Sequence, residues 1–342
     1  MSSVTENPAP PATSPVSQSL GWLRSVLSNQ YVLLVVALAV LVGYFTVRDS
    51  VFLSTAEISV LLTNFASLIL LATGETFVIA TGGIDLSVGA TCGFAGVAGA
   101  FAMRGMVASN DNEALVLFVG TLVCAGVGLG VGLVNALLMN WARLVPFVAT
   151  LATLGAGTGL ALVLSNGVPV GEDSGALTFG SGRAGPFPYI FLIVLALIVI
   201  SWLYLHLSRF GRHTFAIGSS AFAARAAGIN VRKHLTWVYM LSGLLAGLTG
   251  MVFYIRLGSG APSSGDGFEL TAIAAVVIGG VSLFGGSGRL TGTILGALIL
   301  TVVTSGLIII NVSPNWNQVA VAICIAAAAS LQALRSTKRS QP

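Results

Sequence analysis

Charge is what this chain has least of. Asp, Glu, Lys and Arg make up 8% of its 342 residues, where soluble domains carry about 25%. With 55% hydrophobic residues and a mean hydropathy of +0.95, this excludes an ordinary soluble domain and reads as an integral membrane protein. Cysteine is scarce too. Cys92, Cys124 and Cys324 each sit inside an apolar stretch, which speaks against a disulfide framework or a thiolate metal site. Catalytic motifs are missing: there is no H-E-x-x-H, no G-x-S-x-G and no Cys/His cluster. The nearest approach to a phosphate-binding loop, GGSGRLTG at 285–292, lacks the lysine. The chain therefore has no Walker motif of its own for ATP, and no cofactor or metal is expected in it. The net charge of +4 does not point to nucleic acid, because the positive residues lie in loops and at the C-terminus, as they do in membrane proteins.

Long apolar runs and 42 glycines are what is present. Spans need about 20 apolar residues, and small residues let helices approach closely in lipid. Runs fall at roughly 30–47, 58–80, 84–103, 114–139, 145–165, 188–207, 236–257, 269–285, 289–311 and 315–334. The fold class is thus all-α integral membrane protein with about ten transmembrane helices; eight spans plus re-entrant segments is the alternative, because several joints are tight. Ten spans put both termini on one side. Arg143, the 208–235 loop, Arg289, Arg335, Lys338 and Arg339 then share one face, while acids match or exceed bases on the other. The basic face is the cytoplasmic one. Residues 1–28, rich in Pro, Ser and Thr, read as a disordered cytoplasmic tail, 29–334 as one polytopic domain, and 335–342 as a second cytoplasmic tail.

The 208–235 loop, SRFGRHTFAIGSSAFAARAAGINVRKHL, holds five Lys or Arg residues and no acid. Its AFAARAA stretch is a strong helix former closed by Gly228. A short helix shown to the cytosol reads as a docking surface; a solvated loop with one helical turn is the plainer alternative.

Two joints interrupt the apolar pattern. TGGIDLSVGA (81–90) breaks at Gly82 and Gly83 and places Asp85 and Ser87 ahead of the next helix; IGGVSLFGGSGRL (278–290) breaks at Gly279 and Gly280. GGIDLS and GGVSLF form a weak internal repeat, and matched breaks in two halves point to a translocation site. Asp85 either caps the following helix or faces a cavity or partner, and Glu75, inside a span, is either a buried hydrogen-bonding group or part of a path. Thr63, Asn64, Thr73, Thr150 and Thr153 supply uncharged polarity within spans.

TGGIDLSVGA, PFVATLATL (146–154), FGRHTFAIGSSAFAARAAGINV (210–231), SGLLAGLTGMV (242–252) and the long run 269–300 together resemble the permease subunits of ribose-type sugar ABC importers. The likeness covers residues 60–330 or so, in the family's order. It implies a permease, not an enzyme, in a bacterial inner membrane, paired with a second permease copy or paralogue. Cytosolic ATPase subunits carrying the ATP and an extracytoplasmic sugar-binding protein are the implied partners. It also implies that the loop docks on the ATPase, with Gly211, Arg212, Gly218, Arg225, Gly228 and Ile229 matching the family pattern. Ser219, Ser220, Ala221 and Phe222 depart from the Gly-Asn and acidic residues often found there. A monosaccharide is the implied solute, with a nucleoside, a polyol or another small polar solute as alternatives, and a stand-alone secondary carrier as a remoter one.

Overall fold

A computed structural model describes residues 30–109, 112–171, 179–180 and 182–339. The proposed N-terminal tail and the loop residues Asp111, Glu172 and Asp173 lie outside the described residues.

Helices form where the apolar runs predict them, and their ends follow local chemistry. In order they are α1 (Gln30–Arg48), α2 (Thr55–Ala80), α3 (Val88–Ala108), α4 (Glu113–Asn140), α5 (Pro146–Ser165), α6 (Tyr189–Leu207), α7 (Arg209–Ser219), α8 (Ala221–Ala226), α9 (Val231–Leu257), α10 (Phe268–Ile278), α11 (Leu290–Ile309) and α12 (Trp316–Arg339). Ser54 caps α2 through Glu57 N, and Asn112 caps α4 through Ala114 N. Pro146 occupies the first turn of α5, where its missing N–H costs nothing. A two-stranded hairpin, β1 (Arg183–Ala184) with β2 (Phe187–Pro188), precedes α6.

Among the described residues, seven helices are long and apolar enough to cross a membrane: α1, α2, α4, α5, α6, α9 and α11. The run expected as one span over 269–285 is divided. α10 stops at Ile278 because Gly280 turns the chain left-handed, with φ +84°. At 11 residues it rises about 16 Å, roughly half a hydrocarbon core. The run expected from 84 likewise starts only at Val88, and α12 continues as helix to Arg339 through residues expected as tail.

The interior belongs to α2 and α9. Residues 65–80 of α2 are buried without interruption. α9 has its main seam against α4, where Gly128 and Gly132 meet Gly243, Gly247 and the Tyr239 carbonyl. A methyl group at Gly128 or Gly243 would collide with the backbone carbonyl of the other helix, so only glycine permits this approach. α3 and α5 complete one side of the bundle, and α1, α10, α11 and α12 gather on the other.

Candidate functional site

Three basic-loop helices are built by a chain of caps. Ser208 accepts from Gly211 N to start α7, Ser220 from Ala223 N to start α8, and Asn230 from Lys233 N to start α9. α8 ends as its composition predicts, with Gly228 at φ +83°. Ile229 packs beside a small cluster of Ile217, Ala224 and Val231 that folds α7 and α8 against the foot of α9. Thr214 Oγ1 and His234 Nε2 lie 2.9 Å apart and tie α7 to α9, while His206 Nε2 accepts from Leu290 N at 3.2 Å and ties α6 to α11. Both histidines thus have a structural partner. Arg209, Arg212, Arg225, Arg232 and Lys233 remain exposed, together with Phe222 at 79%.

Gly211 is buried because α7 turns back against the end of α6; a Cβ there would overlap the Leu205 carbonyl. Gly218, the last residue but one of α7, is also tightly packed. A Cβ would overlap both the Ala80 oxygen and the Gly286 nitrogen. Those two atoms are themselves bonded, Gly286 N donating to Ala80 O at 3.0 Å. Gly285, at φ +82°, leans on Gly82, also left-handed at φ +82°. The two helix breaks, some 200 residues apart in sequence, therefore meet each other and the end of α7 at one backbone junction. Of the second pair of candidate glycines, Gly279 packs against the first turn of α11 at Gly292, and Gly280 faces Gln30 of α1.

Behind the first break lies a buried polar network. Asp85 Oδ1 accepts from Ser87 N at 3.0 Å and Ser87 Oγ at 2.6 Å; Asp85 Oδ2 accepts from Ser242 Oγ of α9 at 2.9 Å. Ser87 Oγ accepts from Asn135 Nδ2 of α4 at 2.8 Å, and Asn135 Oδ1 accepts from Thr153 Oγ1 of α5. Glu75 Oε1 accepts from Asp85 N at 3.1 Å. Asp85 thus orders the residues just before α3 and also bridges to α9, which goes beyond a helix cap. Five segments are joined through it. Tyr239 OH abuts Gly83, where a Cβ would strike it. Glu75 Oε2 and Tyr239 OH have no hydrogen-bond partner among the described residues. No residue here forms a nucleophile–base pair, and no group of His, Cys, Asp or Glu among the described residues is arranged for a metal. The arrangement fastens helices.

Sequence reasoning named Glu75, Asp85 and Ser87 but missed Asn135, Tyr239 and Ser242. Asn135 had a cue: it is an amide in the middle of an apolar helix. Of the polar span residues, Thr73 and Thr150 donate to backbone carbonyls of their own helices, at 2.7 and 3.0 Å. Thr63 does so toward Ser59 at 2.9 Å, Thr153 joins the network, and Asn64 lines a separate cavity.

Comparison with known proteins supplies the context. The family model described as "Branched-chain amino acid transport system / permease component" matches residues 57–329. The ribose import permease protein RbsC of Bacillus subtilis is 38% identical over 302 residues, covering 87% of this chain and 91% of that protein. The galactose/methyl galactoside import permease protein MglC of Escherichia coli is 34% identical over 324 residues, covering 90% and 94%. The D-allose transport system permease protein AlsC of Escherichia coli is 36% identical over 303 residues, covering 87% and 90%. No solved structure matches the chain.

Proposed function

Since the chain belongs to the branched-chain amino acid transport system / permease component family, we propose that it is the multi-pass permease subunit of an ABC importer admitting a monosaccharide. It is a transport subunit; ATP hydrolysis belongs to cytosolic ATPase subunits, and an extracytoplasmic binding protein delivers the sugar. A second permease copy or paralogue completes the pathway, and both termini face the cytoplasm of a bacterial inner membrane. The names of relatives at 34–38% identity over nearly the whole chain support the sugar class.

The observation that carries the mechanism is the junction at Gly218. The exposed α7–α8 surface, with Arg212 and Arg225, is where an ATPase would press. The far end of α7 sits directly on the meeting point of both helix breaks. Movement of α7 then reaches α2 and α3 through Ala80 and Gly82, and α10 and α11 through Gly285 and Gly286. Two packed arrangements of these breaks would give alternating access with little change inside each helix.

Gentle solubilisation of the tagged chain from its native membrane, followed by identification of co-purifying proteins and reconstitution, tests this. The expected result is a co-purifying ATPase and ATP-dependent uptake of labelled D-ribose, D-galactose or D-allose. Uptake by the chain alone without ATP would overturn it. Uptake inhibited by leucine and not by these sugars would move the solute to the amino acids that the family description names.

A further inference from the structure

Beyond the junction, one cavity has the chemistry of a ligand site. A partly open cavity of about 520 Å³ lies between α2, α9, α10, α11 and α12, next to the 258–267 loop, at the end of the bundle opposite the basic α7–α8 surface. Ligand pockets for small molecules run from about 300 to 1,000 Å³. A larger recess of about 760 Å³ is walled by Leu117, Phe118, Ile193 and similar side chains, a lining suited to acyl chains.

The smaller cavity is different. Ser305 and Asn317 line it, and Ser305 Oγ and Asn317 Oδ1 are buried without a hydrogen-bond partner among the described residues. Buried polar groups left unpaired are unfavourable, so a ligand able to pair them is favoured there. Thr301 and Thr304 donate to the backbone oxygens of Ala297 and Thr301, at 2.8 and 3.1 Å, which leaves their hydroxyl lone pairs to accept. Asn64 adds an amide from α2. Phe253 and Phe268, packed edge to face with centroids 5.1 Å apart, form an apolar wall. Arg256 and Asp266 also line the cavity, one a donor and the other an acceptor. Hydroxyls, amides and these two opposite charges, beside an aromatic wall, match a polyhydroxylated ring without net charge: its hydroxyls pair with the polar side while its C–H face lies on the phenyl rings.

We propose that this cavity is a binding site for a monosaccharide within a single permease chain, on the side from which solute enters. The proposal rests on the sugar-permease reading above. Asn64 and Ser305 set its affinity. It lies on the second half of the bundle, away from the Asp85 network, so a sugar held there contacts the α10–α11 half as the breaks rearrange.

The test uses Thr304→Cys in a Cys324→Ser background, in the full complex with its partners. A membrane-impermeant methanethiosulfonate reagent is added from the extracytoplasmic side. Labelling is expected, and D-ribose, D-galactose or D-allose, whichever the same cells take up, is expected to slow it several-fold. In uptake assays Asn64→Leu and Ser305→Ala should raise KM by about tenfold, the loss of one hydrogen bond, with the maximal rate kept. Sugar uptake with no protection and unchanged KM in both variants would overturn this cavity while leaving the permease reading intact. Absence of uptake for every sugar tested would strike the permease reading itself; protection without uptake would still support the cavity.

Discussion

The two helix breaks start alike and are held differently. Each opens with a glycine pair at the end of a helix, and each contains a left-handed glycine, Gly82 in one and Gly280 in the other. The first is fastened by side chains: Asp85 alone accepts three hydrogen bonds, and Glu75, Ser87, Asn135, Thr153 and Ser242 extend the set into four helices. The second contains no acid. Its loop is shaped by left-handed or extended glycines at 280, 285, 286 and 288, and by few side-chain bonds, one of them Ser282 Oγ accepting from Phe284 N at 3.3 Å. A buried, mutually satisfied polar network has one good geometry. Glycine-rich backbone has several. The first break is therefore the fixed side of the junction and the second its yielding side, with α7 resting on both.

Substitutions can break or sharpen this contrast. The largest effect on stability is expected from Asp85→Ala, which strips acceptors from buried donors on Ser87 and Ser242 and should cost about 3 kcal/mol or more. Thermal unfolding of the purified chain in detergent checks it. Ser282→Ala, at the matching place in the second break, should leave the unfolding temperature nearly unchanged. An equal loss at both positions would erase the distinction drawn here. Gly285→Ala comes next. It forces a methyl group into a left-handed backbone position 2.6 Å from Gly82 N, and the expected cost is about 1–2 kcal/mol with a clear fall in ATP-driven uptake. Asp85→Asn should affect folding less, because an amide still accepts at one atom while Ser242 turns to accept from the other. Inserted protein is expected at wild-type level with impaired uptake; matched loss of folded protein and uptake would leave Asp85 only a structural role. The smallest effect on the fold belongs to Arg212→Glu and Arg225→Glu. Both side chains are exposed, so stability should hold while the ATPase activity stimulated by the complex falls several-fold. Unchanged stimulation would remove these arginines from the docking surface.

Much of this was legible in the chain itself. Apolar runs predict helices at all ten places, and Gly228 closes the AFAARAA helix where expected; the caps Ser208, Ser220 and Asn230 came from the structure. The misjudged segment was 269–285. Val281, Leu283 and Phe284 keep that run apolar past the break, so hydropathy reads straight through a point where backbone conformation ends the helix. Phe284 is in fact 93% exposed. The break at Gly279 and Gly280, itself read in the sequence, is where the helix ends, and the apolar run was carried past it. The meeting of the two breaks was not legible, since it depends on how α2, α10 and α11 pack around one another and leaves no local pattern. Tyr239 was hidden for a similar reason: within α9 it resembles any other aromatic of an apolar helix, and only its approach to Gly83 sets it apart. Asn64 was singled out for polarity alone, and its cavity became evident only once Ser305 and Asn317 stood beside it.

The claim at the centre is that motion enters the bundle through Gly218. It is tested most directly by placing Gly218→Val, with Gly218→Ala beside it, in the complex and measuring ATP-driven sugar uptake together with recovery of the ATPase on the tagged chain. The account predicts that the ATPase is still recovered, because the exposed face of α7 and α8 is untouched, while uptake falls more for valine than for alanine. Uptake at the unaltered rate in both variants, with the ATPase bound, would contradict it.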